Sequence, residues 1–150
     1  MISNQIFLWD DKNVFIKTYL LENSMELRPD CKRPLIIVCP GGGYAYTSDR
    51  EAEPVALAYA AAGYHAVVLR YSVGEQATMP RPLVELADTV AYFREHAEEL
   101  YINPDQIVVT GFSAGGHLAA SLGVFWNHKE MLTKYDDNRE LIRPNGMILC

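Results

Sequence analysis

Residues 106–125 read QIVVTGFSAGGHLAASLGVF, with Ser113 at the centre of Gly-Phe-Ser-Ala-Gly. A serine hydroxyl that attacks an acyl carbon has to project past the sheet and stay open to its substrate. A sharp turn from a strand into a helix does this. Such a turn crowds the backbone, so the residues two before and two after must be small, and Gly111 and Gly115 meet that need. The β-branched run before the serine predicts the strand, and the pattern after it predicts a helix from Ala114 to about Trp126. The free N–H groups at the start of that helix would face the spot where negative charge develops. Ala114 N–H is the expected first oxyanion donor. The plain alternative is a glycine-rich turn whose serine only caps the helix.

A second glycine cluster sits in IIVCPGGGYAY, where Gly41, Gly42 and Gly43 follow a short apolar run. Three glycines allow backbone conformations closed to other residues and let amides point into a cavity. One donor from Gly42 or Gly43, with one from Ala114, would make a two-pronged oxyanion hole. Tyr44 and Tyr46 follow the glycines and could line a pocket; tyrosines also simply fill loops. An ordinary tight turn and a phosphate cradle are the competing readings. The cradle lacks both G-x-x-x-x-G-K-[ST] and G-x-G-x-x-G.

A serine of this kind needs a base, and none of the four histidines is convincing. His117 lies one helical turn past Ser113, pointing the wrong way for a base. It is expected to pack near the glycine turn and support the site by hydrogen bonds. His65 opens a strand at the end away from the strand termini where sites form. His96 sits among glutamates late in a helix, and His128 follows Phe-Trp-Asn in a polar loop. Among the acids, Asp88 lies inside a helix, while Asp136 and Asp137 are loop residues with no strand end behind them. No His, Cys and Asp grouping has the spacing of metal ligands, so no metal or cofactor is expected.

The elements that must position these residues read clearly. QIFLW and NVFIKTYLL flank a turn-like DDKN and predict an antiparallel hairpin. LIIVC, HAVVLRYSV and QIVVTGF are continuous apolar runs, as in strands covered on both faces. EAEPVALAYAAAG predicts a helix capped by Gly63. LVELADTVAYFREHAEEL predicts another, with Leu83, Leu86, Ala87, Val90 and Ala91 inward and its charges largely elsewhere. YINPD stops it. Residues 127–145 read as surface loop with a helical turn, and GMILC as a further strand. Strand, loop and helix recur three times after the hairpin, which predicts a mainly parallel α/β sheet with crossover helices.

The chain has 150 residues, 49% of them hydrophobic, enough for one domain with a core. A formal charge of −6 with no Lys/Arg cluster argues against a nucleic-acid partner. No run approaches about 18 apolar residues, so no membrane span is expected. Cys31, Cys39 and Cys150 are odd in number and widely spaced, unlike a disulfide framework. Residues 1–20 lack the charged-then-apolar layout of a signal peptide. Cytoplasmic location is the resulting expectation. The chain stops inside the apolar GMILC, where a domain would ordinarily end on polar, exposed residues. This predicts residues 1–150 to be the N-terminal part of a single domain, incomplete at its C-terminus; the plain alternative is that GMILC is an edge strand in a small complete domain.

CPGGGY followed by GFSAGGHLA resembles the α/β-hydrolase superfamily. More narrowly it is similar to acetyl-esterase and lipase-like enzymes, xylan and hemicellulose esterases among them. The likeness spans nearly the whole chain. One departure is Pro40, which stands where the wider lipase group often has a histidine. The resemblance implies hydrolysis of short acyl esters, often acetyl groups on sugars, with Ser113 as nucleophile. It implies Ala114 with Gly42 or Gly43 as oxyanion donors, and a chain order of Ser, then Asp, then His. Both partners would therefore follow residue 150. Residues 1–150 alone are expected to be nearly inactive. The same elbow would serve a serine peptidase or amidase, and a non-catalytic binding protein could retain it. The expected partner is a small ester. The open sheet is expected to be covered by the missing C-terminal part or by a second copy of the chain.

Overall fold

Apolar runs at residues 35–39, 65–70 and 107–111 form the middle of a six-stranded sheet in the computed structural model, which describes residues 1–150. The strands are β1 (Gln5–Ile6), β2 (Phe15–Tyr19), β3 (Arg33–Cys39), β4 (His65–Arg70), β5 (Ile102–Gly111) and β6 (Gly146–Leu149). Their order across the sheet is β1-β2-β4-β3-β5-β6. The β1–β2 and β2–β4 pairs are antiparallel; β4, β3, β5 and β6 run parallel. The N-terminal hairpin and the mainly parallel sheet match the sequence expectation.

Three helices cover the sheet: α1 (Glu53–Ala61), α2 (Arg81–Glu95) and α3 (Ala114–Phe125). α1 lies on one face, where Ala52 and Ala56 meet Ile36, Val38, Ala66 and Val68. Alanines one turn apart keep that face thin and let the helix approach closely. α2 and α3 pack the other face against Leu35, Ile37, Cys39, Val67, Leu69, Ile107 and Val109. β3 is buried on both sides, which explains its unbroken apolar character. Gly63, at φ +93°, follows the last turn of α1.

Three details depart from the sequence expectation. β5 begins at Ile102 rather than Gln106, because Ile102 pairs with Arg33 ahead of an irregularity in the ladder. α2 carries Glu85 and Asp88 on its buried side. Glu85 accepts hydrogen bonds from the Ser72 amide and hydroxyl, and its burial pushes its pKa up. Asp88 accepts from Trp9 Nε1 at 2.9 Å, from Lys134 Nζ at 2.7 Å and from the Tyr135 hydroxyl. It thereby ties the N-terminal hairpin loop and the segment after α3 to one helix. That segment holds two short 3-10 turns, Thr133–Tyr135 and Arg139–Ile142, where one helical turn was expected. No helix is long and apolar enough to cross a membrane.

The topology fixes where a site can form. From β3 the chain leaves to α1 on one face, and from β5 to α3 on the other. β3 and β5 are neighbours, with Cys39 beside Gly111 at their carboxyl ends. Loops that part in opposite directions from adjacent parallel strands leave a crevice between them.

Candidate active site

Ser113 sits on that crevice with φ 51° and ψ −115°. A non-glycine residue at positive φ is strained, and the neighbours show what enforces it. A Cβ at Gly115 would lie 2.0 Å from Cys39 O, and one at Gly111 would lie 2.1 Å from Gly115 O. Only glycine lets the helix start this close to the strands. The turn is held by Gly115 N–H donating to Phe112 O at 2.8 Å and Ser113 N–H donating to Cys150 O at 2.8 Å. Ser113 is exposed, and its side chain does not cap α3. The helix-capping alternative therefore has no bond to support it.

The glycine loop lies against this turn. Phe112 N–H donates to Cys39 O at 3.2 Å, and a Cβ at Gly41 would lie 2.6 Å from Phe112 O. Gly42, Gly43 and Tyr44 follow at φ 138°, 61° and 61°. Gly42 O accepts from the Ala45 and Tyr46 amides at 3.0 and 3.3 Å, closing a tight turn. The amides of Gly42, Gly43 and Tyr44 donate to no group in the chain, and neither does that of Ala114, the first residue of α3. Space beside Gly43 is open, with nothing within 4 Å of where a Cβ would stand. Unpaired amides thus lie on two turns that touch where Cys39 and Gly41 meet Phe112, the residue before the exposed Ser113. Such a set can bind an oxyanion at an attacked carbonyl.

The tyrosines behave differently from one another. Tyr44 is half-buried, its ring edge-on to Tyr71 and His117, and its hydroxyl lies 2.9 Å from His117 Nδ1 in a hydrogen bond. This bond joins the glycine loop to α3. Burial pushes the Tyr44 phenol up to about 12. Tyr46 is 55% exposed. Burial also pushes the Cys39 thiol up to about 12, so it packs as a neutral group.

No histidine ring hydrogen-bonds the Ser113 side chain; the one link is backbone, His117 N–H donating to Ser113 O at 2.9 Å. His117 is bonded to Tyr44, and His65 Nδ1 accepts from the Leu21 amide at 3.0 Å at the opposite end of the sheet. His96 Nδ1 lies 2.7 Å from Tyr92 O, and His128 Nδ1 accepts from the Glu130 amide. Asp88 is committed to Trp9, Lys134 and Tyr135. No group of three or more His, Cys, Asp or Glu side chains could hold a metal ion. The structure brings together Ser113, Ala114, Gly42, Gly43, Tyr44 and His117.

Two contacts were missed in sequence. Glu51 Oε2 accepts from the Gly41 amide at 2.8 Å, and the Tyr71 hydroxyl donates to Pro40 O. The pattern around Arg50 and Glu51 suggests a place at the pocket rim or the start of the next helix, but nothing in it points to the Gly41 amide. Tyr71 carried a weak signal: a tyrosine closing a buried aliphatic strand needs a partner for its hydroxyl.

Residues 25–145 match the BD-FAE family. The chain is 34% identical over 124 residues to endo-1,4-beta-xylanase B of Butyrivibrio fibrisolvens, a match covering 80% of this chain and 19% of that protein. It is similar in structure to MGS-M1, an alpha/beta hydrolase enzyme from a Medee basin deep-sea metagenome library. That match has a TM-score of 0.83 and 42% identity, and covers 99% of this chain and 56% of the other. The acetyl ester-xyloside bifunctional hydrolase of Caldicellulosiruptor lactoaceticus superposes with a TM-score of 0.79 at 34% identity, covering 98% of this chain and 56% of the other. The chain thus spans about half the length of these solved relatives and about a fifth of the xylanase. A match over most of its length, on a sheet with the same course, places the chain in the BD-FAE family, within the esterase and lipase branch of the α/β-hydrolase superfamily.

Proposed function

We propose that the polypeptide carrying this chain is a serine carboxylic-ester hydrolase acting on short acyl esters, acetyl groups on sugars foremost. The observation that carries this reading is the strained, exposed Ser113 beside the unpaired amides of two turns. Ser113 Oγ attacks the ester carbonyl carbon as a base takes its proton. The oxyanion rests on Ala114 N–H and on Gly42 or Gly43 N–H. Collapse breaks the ester C–O bond, the alcohol leaves with the proton, and water then releases the acid from the acyl-enzyme. The scheme draws on no metal or cofactor.

The base and the acid that orients it are assigned to chain beyond residue 150. Two facts support this. Each histidine present is bonded elsewhere, and the chain spans about half of its solved relatives. The rest of that domain is the proposed cover for β6. The sugar preference draws support from the printed names of two relatives and from Tyr44 and Tyr46 beside the loop. Flat rings suit the faces of sugars.

A fluorophosphonate probe applied to the full polypeptide tests the reading. It labels Ser113, and Ser113→Ala abolishes labelling and lowers p-nitrophenyl acetate turnover by roughly 10⁴-fold or more. A protein that stays unlabelled is a binder rather than an enzyme. A higher kcat/KM on a peptide p-nitroanilide than on an acetyl ester marks a peptidase or amidase.

A further inference from the structure

One peptide group, between Pro40 and Gly41, joins β3 to the glycine loop, and it is gripped at both ends. Tyr71 donates its hydroxyl to the carbonyl oxygen of this group, and the Gly41 N–H donates to Glu51 Oε2 at 2.8 Å. Tyr71 follows β4 and is buried; Glu51 comes from the turn ahead of α1. A peptide held at both its oxygen and its N–H cannot swivel about the line through its Cα atoms. The carbonyls that follow are also taken: Gly41 O accepts from Ser48 N–H at 2.8 Å, and Gly42 O from Ala45 and Tyr46. What remains free are the amides of Gly42, Gly43 and Tyr44. Gly41 is also wedged between the clamp and the elbow. A Cβ at Gly41 would lie 2.8 Å from Glu51 Oε2 and 2.6 Å from Phe112 O, the residue before Ser113.

We infer that Glu51 and Tyr71 are positioning residues for the reaction at Ser113, clamping the Pro40–Gly41 peptide so that the next amides are already aimed at the oxyanion. The inference rests on the ester-hydrolase reading. Neither side chain touches substrate. Their effect falls on the transition state, because oxyanion donors work by being aimed before charge develops. A carboxylate accepting from an amide also makes a stronger bond than a neutral acceptor. Burial pushes the Tyr71 phenol up, so it remains a donor at working pH.

The test uses the full polypeptide, with p-nitrophenyl acetate as substrate and an alkylboronic acid as mimic of the tetrahedral oxyanion. Glu51→Asp keeps the charge but stops one methylene short of Gly41. It lowers kcat about 10–100-fold with KM within about twofold, and weakens the boronate by the same factor as kcat. Tyr71→Phe loses the other grip and shows the same pattern at about tenfold. Glu51→Gln keeps both reach and an acceptor and loses no more than about threefold. A general structural role would not separate kcat from KM, nor rank Gln above Asp. The inference is overturned if Glu51→Asp and Tyr71→Phe keep wild-type kcat and boronate affinity, or if Glu51→Gln is as slow as Glu51→Asp. When wild-type turnover depends on Ser113 and those results appear, the clamp alone has failed. Wild-type protein without Ser113-dependent turnover removes the hydrolase reading, and the clamp with it.

Discussion

Gly115 and Gly43 are both glycine for reasons that differ and can be separated. At Gly115 the obstacle is space: a Cβ would stand 2.0 Å from Cys39 O, and backbone cannot step aside as a flexible side chain can. At Gly43 space is open and the obstacle is the backbone angle, φ 61°. Gly115→Ala should therefore push α3 away from β3, cost about 3 kcal/mol and end fluorophosphonate labelling of the full polypeptide. Gly43→Ala should cost only about 1 kcal/mol, the usual penalty of a left-handed non-glycine residue, and leave the fold intact. Urea midpoints and labelling of both variants check this. Equal losses would mean that crowding does not hold the elbow. Ser113 and Tyr44 show that this region accepts non-glycine residues at positive φ when their surroundings hold them there.

At the scale of elements, His65 fastens the end of the sheet away from the crevice. It opens β4, is fully buried, and bridges the segments after β2 and before β5. The Leu21 amide makes Nδ1 an acceptor, so the ring proton sits on Nε2 and is donated to Tyr101 O at 3.2 Å. A second proton would turn Nδ1 towards a donor in a buried site. Burial, and then the charge of Arg33, lower the pKa from the ordinary 6.5 to about 4. Because the folded pKa lies below the unfolded one, His65 gives its full stability above about pH 6.5. That contribution is lost as pH falls from there through about 4, and it amounts to roughly 3 kcal/mol. Urea melts at pH 7 and pH 4.5 should show wild type losing more stability than His65→Gln over this window. Parallel losses in the two proteins would show that His65 does not titrate on unfolding.

At the scale of the whole molecule, nucleophile and base are expected to come from different stretches of polypeptide. A serine hydroxyl without a base is a poor nucleophile at neutral pH. Residues 1–150 expressed alone should hydrolyse p-nitrophenyl acetate at less than about 10⁻³ of the rate of the full polypeptide. Strong turnover by the short chain, lost on Ser113→Ala, would put the base among His65, His96, His117 and His128. β6 presents Met147, Ile148 and Leu149 with 40% to 53% of each exposed. Covering this strand should raise both solubility and thermal midpoint, which differential scanning of the two lengths would measure.

Local pattern alone determined most of the architecture. Strand runs such as LIIVC and HAVVLR, the helix period of residues 83–91 and the glycine spacing around Ser113 are short-range signals, and each leads to the element found. The residues of the crevice were legible for the same reason, since the elbow and the glycine loop each lie within a few consecutive positions. Tertiary structure decided what depends on distant partners. Residues 102–105 join β5 only because Arg33 offers an edge, and Glu85 and Asp88 are buried only because Ser72, Trp9 and Tyr135 reach them. The grip of Glu51 and Tyr71 on one peptide, and the bridge made by His65, join segments that are separate in sequence. Periodicity reports which way a side chain faces; it carries no information on which donor or acceptor the folded chain will bring to meet it.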